Sequence, residues 1–251
     1  MTAEPGTTEP ESARSGSAGP SSEPPARSGP SRRGLLLGGG AVLLAGSAAY
    51  TQRETLRRWW WRLPGNEKPR TEGEVDHRGA EWVAASSANW RRANRPDDYR
   101  IDRVIVHVIQ GDYAVALKVF QDAGHGAAAH YVLRTSDGHV AQTVRELDVA
   151  FHAGNREYNE RSIGIEHEGF VDRREGFTEE MYRASAKLTA DICDRHSIPK
   201  DRRHIIGHHE VPGADHTDPG EHWDWERYLR LVRAVPPRPT ADPGAAGGSR
   251  G

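Results

Sequence analysis

Cysteine is almost absent from this chain of 251 residues: Cys193 stands alone. A single thiol excludes an intramolecular disulfide. Its place on the apolar side of a predicted helix marks it as buried and inert. Basic charge is not in excess either. With 34 Lys and Arg against 36 Asp and Glu, the net charge of −2 carries no electrostatic footprint for nucleic acid. No apolar run reaches the roughly 20 residues that span a bilayer comfortably; the uninterrupted stretch Gly34–Ala49 falls short. There is no internal repeat, and the local metal motif His-Glu-x-x-His does not occur.

The ends lack apolar side chains. Residues 1–30 are Pro, Ser, Gly and Glu in the main, too polar to bury surface that would offset the entropy of ordering, so disorder is expected there and again over residues 234–251. Residues 31–50, "SRRGLLLGGGAVLLAGSAAY", place an arginine pair before the apolar stretch, and Ser47 and Ala49 supply small residues for cleavage. The pattern resembles a twin-arginine export signal, which carries proteins already folded. A secreted or wall-associated protein is expected; the alternative is an uncleaved membrane anchor, favoured by "RRWWWRLPG" at the expected interface. No cysteine stands directly after the apolar stretch, so a lipid-anchored lipoprotein is not expected. Residues 51–97 are a linker and lead-in, and residues 98–233 the single folded domain.

Within that domain "RVIVHVIQ" (103–110) alternates as a strand does. Val104, Val106 and Val108 share one face; Ile105, His107 and Ile109 share the other. "YAVALKVFQDAG" predicts a short helix, "HYVLRTSDGHVAQTV" a hairpin, and "RSIGIEHEG" a strand whose interior Gly164 implies a close neighbour. The clearest helix starts at Thr178, with Met181, Ser185, Leu188 and Ile192 along one stripe, and stops at Ile198-Pro199. "HIIGH" predicts a short buried strand and "DWERYLRLVR" a closing helix capped by Asp224. Strands alternating with helices and interrupted by one hairpin predict an α/β domain with a central mixed sheet flanked by helices.

The stretch "GHHEVPGADHTDPG" (207–220) crowds histidines and carboxylates between turn residues. His107, His208 and Asp218 would give zinc three ligands and leave a fourth position for water, the pattern of a catalytic site. Spacing alone does not single them out; trios drawn from His130, His152, His204, His209, His216 and His222 fit nearly as well.

Five blocks in order, "VIVHVIQG", "AAAHYVL", "AFHAGN", "SIGIEHEG" and "GHHEVPGADHTDPG", closely resemble the zinc-dependent N-acetylmuramoyl-L-alanine amidases of the amidase-2 family, to which phage lysozyme-type amidases and peptidoglycan recognition proteins are related. The resemblance spans about Tyr99 to Arg233. It implies Zn2+ on His107, His208 and Asp218, with Glu166 as general base. His216 stands where many relatives carry lysine, which implies an oxyanion donor; His152 is expected to line the substrate groove, Asn155 to hydrogen-bond substrate or else shape the turn beside Gly154, and His130 to be structural. The implied activity is hydrolysis of the amide between N-acetylmuramic acid and L-alanine, with peptidoglycan as partner and a monomer as the working unit. The competing readings are a non-catalytic peptidoglycan-binding module and a zinc hydrolase acting on another amide.

Overall fold

The central strand of the fold is built on the alternation noted above. The computed structural model describes residues 51–237, so the expectations for residues 1–50 and for 238–251 lie outside them. Strand β3 (Arg103–Val108) is hydrogen-bonded on both sides by parallel partners, β7 (Ser162–His167) and β8 (Ile205–Gly207). Beyond β7 lie β4 (Tyr131–Leu133), β5 (Val140–Gln142) and β1 (Glu81–Trp82), giving the order β1-β5-β4-β7-β3-β8. Only the β4–β5 hairpin is antiparallel, so the sheet is mixed, as expected. A second, two-stranded sheet joins β2 (Trp90–Arg91) to β6 (Val149–Ala150).

One face of the main sheet is covered by α4 (Glu179–His196) and α5 (Trp225–Ala234). Val104, Val106, Ile163, Ile165 and Ile205 pack there with Met181, Leu188, Ile192, Tyr228 and Val232, all buried. Both helices start as the sequence predicts: Thr178 Oγ1 accepts from Met181 N and the Asp224 side chain from Arg227 N. Helix α2 (Tyr113–Gln121) covers the other face, packing Tyr113, Ala116 and Phe120 near Val132 and Ala141. Ile105 belongs to this side, which puts its neighbour-but-one His107 there too. Cys193 is buried, and burial pushes its thiol up to about 12.

The lead-in departs from the expectation of a linker. Residues 51–61 form helix α1, and β1 adds an edge strand through the register Glu81↔Ala141. Asn89, Asn94 and Arg95 are buried in this segment. Arg95 donates to the carbonyls of Glu146 and Ser162 at 3.0 and 2.7 Å, which satisfies a cation that burial has brought down to about 10. The folded domain therefore starts well before residue 98.

Candidate active site

Three adjacent parallel strands bring their carboxyl ends to one place. In the β3–β7 register His107 lies opposite Glu166, and both belong to the face turned away from α4. On the other side Gly207 of β8 pairs with Val106, so His208 leaves the strand beside His107; their ring centroids are 4.5 Å apart. The loop that follows returns to the sheet at Asp218. His209 closes it, donating from its backbone N–H to the Asp218 carbonyl oxygen at 3.1 Å and bringing its ring Nδ1 within 3.0 Å of the same oxygen. A Cβ on Gly207 would meet Pro219 and the His209 ring below 3.0 Å, so the return needs glycine there.

His107, His208 and Asp218 are buried together, each offering one ligand atom, and these atoms lie within 4.8 Å of one another. Asp218 Oδ2 is 3.3 Å from His107 Nδ1 and accepts from Val108 N, while Oδ1 is 3.2 Å from His208 Nδ1.

The tautomer of His107 follows from its neighbours. Ser162 Oγ is 2.5 Å from the Tyr158 carbonyl oxygen, which can only accept, so the hydroxyl proton is committed there. His152 Nε2, 3.1 Å from the same Oγ, must then donate. Burial, with His107 and His130 nearby, takes the His152 pKa well below its ordinary value; the ring is neutral and its Nδ1 carries no proton. That atom is 2.9 Å from His107 Nε2, which is therefore the N–H. Burial lowers the pKa of His107 as well, leaving Nδ1 as a lone pair turned to the ionised Asp218. Two electron-rich atoms opposed at 3.3 Å repel, and a bound cation would turn the repulsion into attraction. His208 adds a second sign, a buried Nε2 without a hydrogen-bond partner. Two neutral imidazoles and one carboxylate fit a divalent ion of the zinc type.

Glu166 is half-buried beside this cluster, and its Oε2 has no hydrogen-bond partner. Burial and then the charge of Asp218 push its carboxyl up to about 8. The His216 side chain is 60% exposed and stacks on His208 at a centroid distance of 4.2 Å, with Nδ1 3.7 Å from Asp218 Oδ1. All these residues line a groove of about 780 Å³ whose apolar wall is Val115, Val119 and Phe120, with Phe151 and Asn159 further along.

Of the two sequence-predicted contacts, one stands elsewhere and one lines the groove with its ring nitrogens engaged. Asn155, expected to bind substrate or shape a turn, caps α3 (Arg156–Arg161) by accepting from Tyr158 N, and its Nδ2 donates to Pro212 O at 3.1 Å; it does not line the groove. His152 touches the groove but is buried, its ring nitrogens engaged by His107 and Ser162. His130 is buried behind it, accepting from Gly164 N, and is not among the cluster. Sequence reasoning missed Ser162 and the loop-closing role of His209. The alternation of "SIGIE" already puts Ser162 on the Glu166 face, which was the available signal; His209 gave none.

A mixed sheet that carries two histidines and a carboxylate to the floor of an open groove, beside an unpartnered glutamate, is the layout of a hydrolytic active site. The family described as N-acetylmuramoyl-L-alanine amidase matches residues 97–221. N-acetylmuramoyl-L-alanine amidase A of Achromobacter lyticus is 34% identical over 176 residues, covering 63% of this chain and 96% of that one. The 1,6-anhydro-N-acetylmuramyl-L-alanine amidase AmpD of Escherichia coli K12 is 30% identical over 161 residues, 55% of this chain and 86% of the other. A crystal structure of a selenomethionine derivative of AmpD superposes with a TM-score of 0.53 at 27% identity, covering 66% and 99%. The chain belongs to the N-acetylmuramoyl-L-alanine amidase family.

Proposed function

We propose that the groove hydrolyses the amide between the lactyl group of N-acetylmuramic acid and L-alanine in peptidoglycan, with Zn2+ held by His107, His208 and Asp218. The observation that carries this is the joint arrangement: the ligand trio and the glutamate are both complete and share one groove floor in a chain of this family. Bound there, zinc would polarise the amide carbonyl, lower the pKa of water to about 7 and bring positive charge beside Glu166, whose carboxyl burial and then Asp218 raise. Glu166, ionised, takes a proton from the attacking water as oxygen adds to the carbonyl carbon. It then gives that proton to the departing L-alanine nitrogen as the C–N bond breaks. His216, exposed at the rim of the cluster, donates to the oxyanion of the tetrahedral stage. Val115, Val119 and Phe120 exclude water along one wall, and the open side admits a polymer.

The test is mass spectrometry of purified peptidoglycan digested by the protein, with and without a chelator. Release of intact stem peptides beginning with L-alanine, abolished by the chelator, supports the reading. Bound zinc with intact wall material would make the domain a binding module, and cleavage of a different amide would reassign the substrate.

Export is proposed on sequence alone. Arg32-Arg33 before the apolar stretch, with small residues at 47 and 49, supports passage out of the cytoplasm in a folded state. Fractionation of cells carrying an Arg32→Lys, Arg33→Lys chain tests it: retention in the cytoplasm is expected, and unaltered export would remove the assignment.

A further inference from the structure

Helix α1 has no part in the groove, and its two faces have different chemistry. Glu54, Arg58 and Trp61, spaced i, i+4, i+7, are its half-buried side. The chain here is tied to the body of the domain. Asn94 Nδ2 donates to Trp61 O at 2.8 Å, Arg62 Nη2 donates to Asp98 O at 2.9 Å with its guanidinium 4.4 Å from the centre of the Tyr99 ring, and Arg57 is ion-paired with Asp97. The orientation of the helix is therefore set by the domain.

The opposite side presents Leu56, Trp59 and Trp60 at i, i+3, i+4, with exposures of 64%, 59% and 54%. Apart from Val115 in the groove wall, these are the large apolar side chains most open to solvent among the described residues. Three of them on one stripe of one short helix are a patch. Arg53 borders it, since Leu56 and Trp60 follow it by three and seven residues; Arg57 is engaged by Asp97. Indole rings flanked by arginine suit the headgroup layer of a bilayer, where the ring meets the acyl boundary and the guanidinium meets phosphate. The neighbouring chain agrees: the sixteen residues Gly34–Ala49 contain no charged side chain and lie directly before this segment in the sequence. Among the described residues no helix is long and apolar enough to cross a membrane. A second copy is the poorer occupant, because it would bring one arginine border against another.

We propose that the Leu56–Trp59–Trp60 face of α1 is a docking surface for an anionic lipid bilayer. It holds the domain against the membrane independently of whether residues 34–49 remain attached.

The test uses the full chain and a single environment-sensitive thiol probe, which the burial of Cys193 makes feasible. Leu56→Cys reports the proposed face, and Lys187→Cys, exposed on α4, reports a remote one. Labelled protein is bound to vesicles of phosphatidylcholine and phosphatidylglycerol, isolated by flotation, and compared with free protein. The position-56 probe should shift to the blue and lose at least half its emission to brominated lipid, with the position-187 probe unchanged. A position-56 probe that stays quenchable by aqueous iodide in the vesicle-bound fraction overturns the proposal. A blue shift without lipid does so as well, assigning the face to a second copy if it depends on concentration and to the chain's own apolar stretch if it does not. An equal response in phosphatidylcholine alone overturns the anionic part.

Discussion

Replacing His152 by alanine should weaken zinc binding without removing any ligand. In the fold His152 Nδ1 is the acceptor for His107 Nε2–H at 2.9 Å, and the chain through Ser162 to the Tyr158 carbonyl fixes which nitrogen of His107 keeps its lone pair. Alanine leaves that buried N–H without a partner and frees the His107 ring to turn or to change tautomer. Loss of an outer partner of a metal-ligating histidine costs about 10- to 100-fold in affinity, or about 1.4 to 2.7 kcal/mol. The unsatisfied donor alone is worth about 1–3 kcal/mol, which agrees in size. The assay is competition for Zn2+ against a chromophoric chelator, run beside circular dichroism to verify folding. His152→Asn offers a side-chain oxygen close to where Nδ1 stood and should recover most of the loss; Ser162→Ala, one step further back, should cost less than His152→Ala. A folded His152→Ala protein that binds zinc within about threefold of the parent, against the decade or more expected, would refute the reasoning. So would failure of asparagine to do better than alanine.

Glu166→Gln should retain zinc and lose about 10²- to 10⁴-fold in stem-peptide release, measured by chromatography of digested wall, since the amide cannot accept the proton. His216→Ala should lower turnover by about 10²-fold with the metal still bound; metal loss in that variant would make His216 a ligand. Acid should destabilise the fold in two stages. Burial, with Arg95, lowers the His130 pKa, so its contribution is present above about 6.5 and fades as pH falls below it. Burial works to raise Glu146, but His196 and Arg195 hold it below the carboxylate range, so its contribution is lost only below about 4.5. Urea midpoints between pH 8 and 3 should show both declines, and a Glu146→Gln protein that keeps the lower one would contradict the assignment. Cys193, buried with its thiol raised to about 12, should resist thiol reagents until the protein unfolds, and modification of native protein within minutes would contradict its placement.

Local chemistry made much of this fold readable. Alternation in "RVIVHV" placed His107 on the face away from the helical layer, caps at Thr178 and Asp224 marked both long helices, and the glycine in "SIGIE" announced a close neighbour, which is the His152 ring. What escaped was what depends on distant pairing. β1 is two residues long and exists only because β5 offers it an edge, and α3 buries none of its residues, so neither leaves a periodic signature. The ligand trio was open for the same reason: its members come from separate segments, and several histidine sets satisfy the donor chemistry. Asn155 was open between a substrate contact and a structural role because both call for the same side chain, and it takes the structural one as a helix cap. His152 lines the groove as expected, while its ring nitrogens turn inward to His107 and Ser162 and its ring packs over Gly164.

That hollow over Gly164 has a bearing on descent. A Cβ at position 164 would fall 2.5 Å from His152 Nδ1 and 2.6 Å from Cγ, deeper than any rotation of a flexible tip could relieve. Positions 152 and 164 are thus a single heritable unit. A lineage that gains even a methyl group at 164 must surrender the imidazole at 152, and one that has lost the imidazole is free to let 164 drift. Paired substitution at these two sites, set against an unchanging His107, would be the trace of a groove that has found another way to hold the His107 ring.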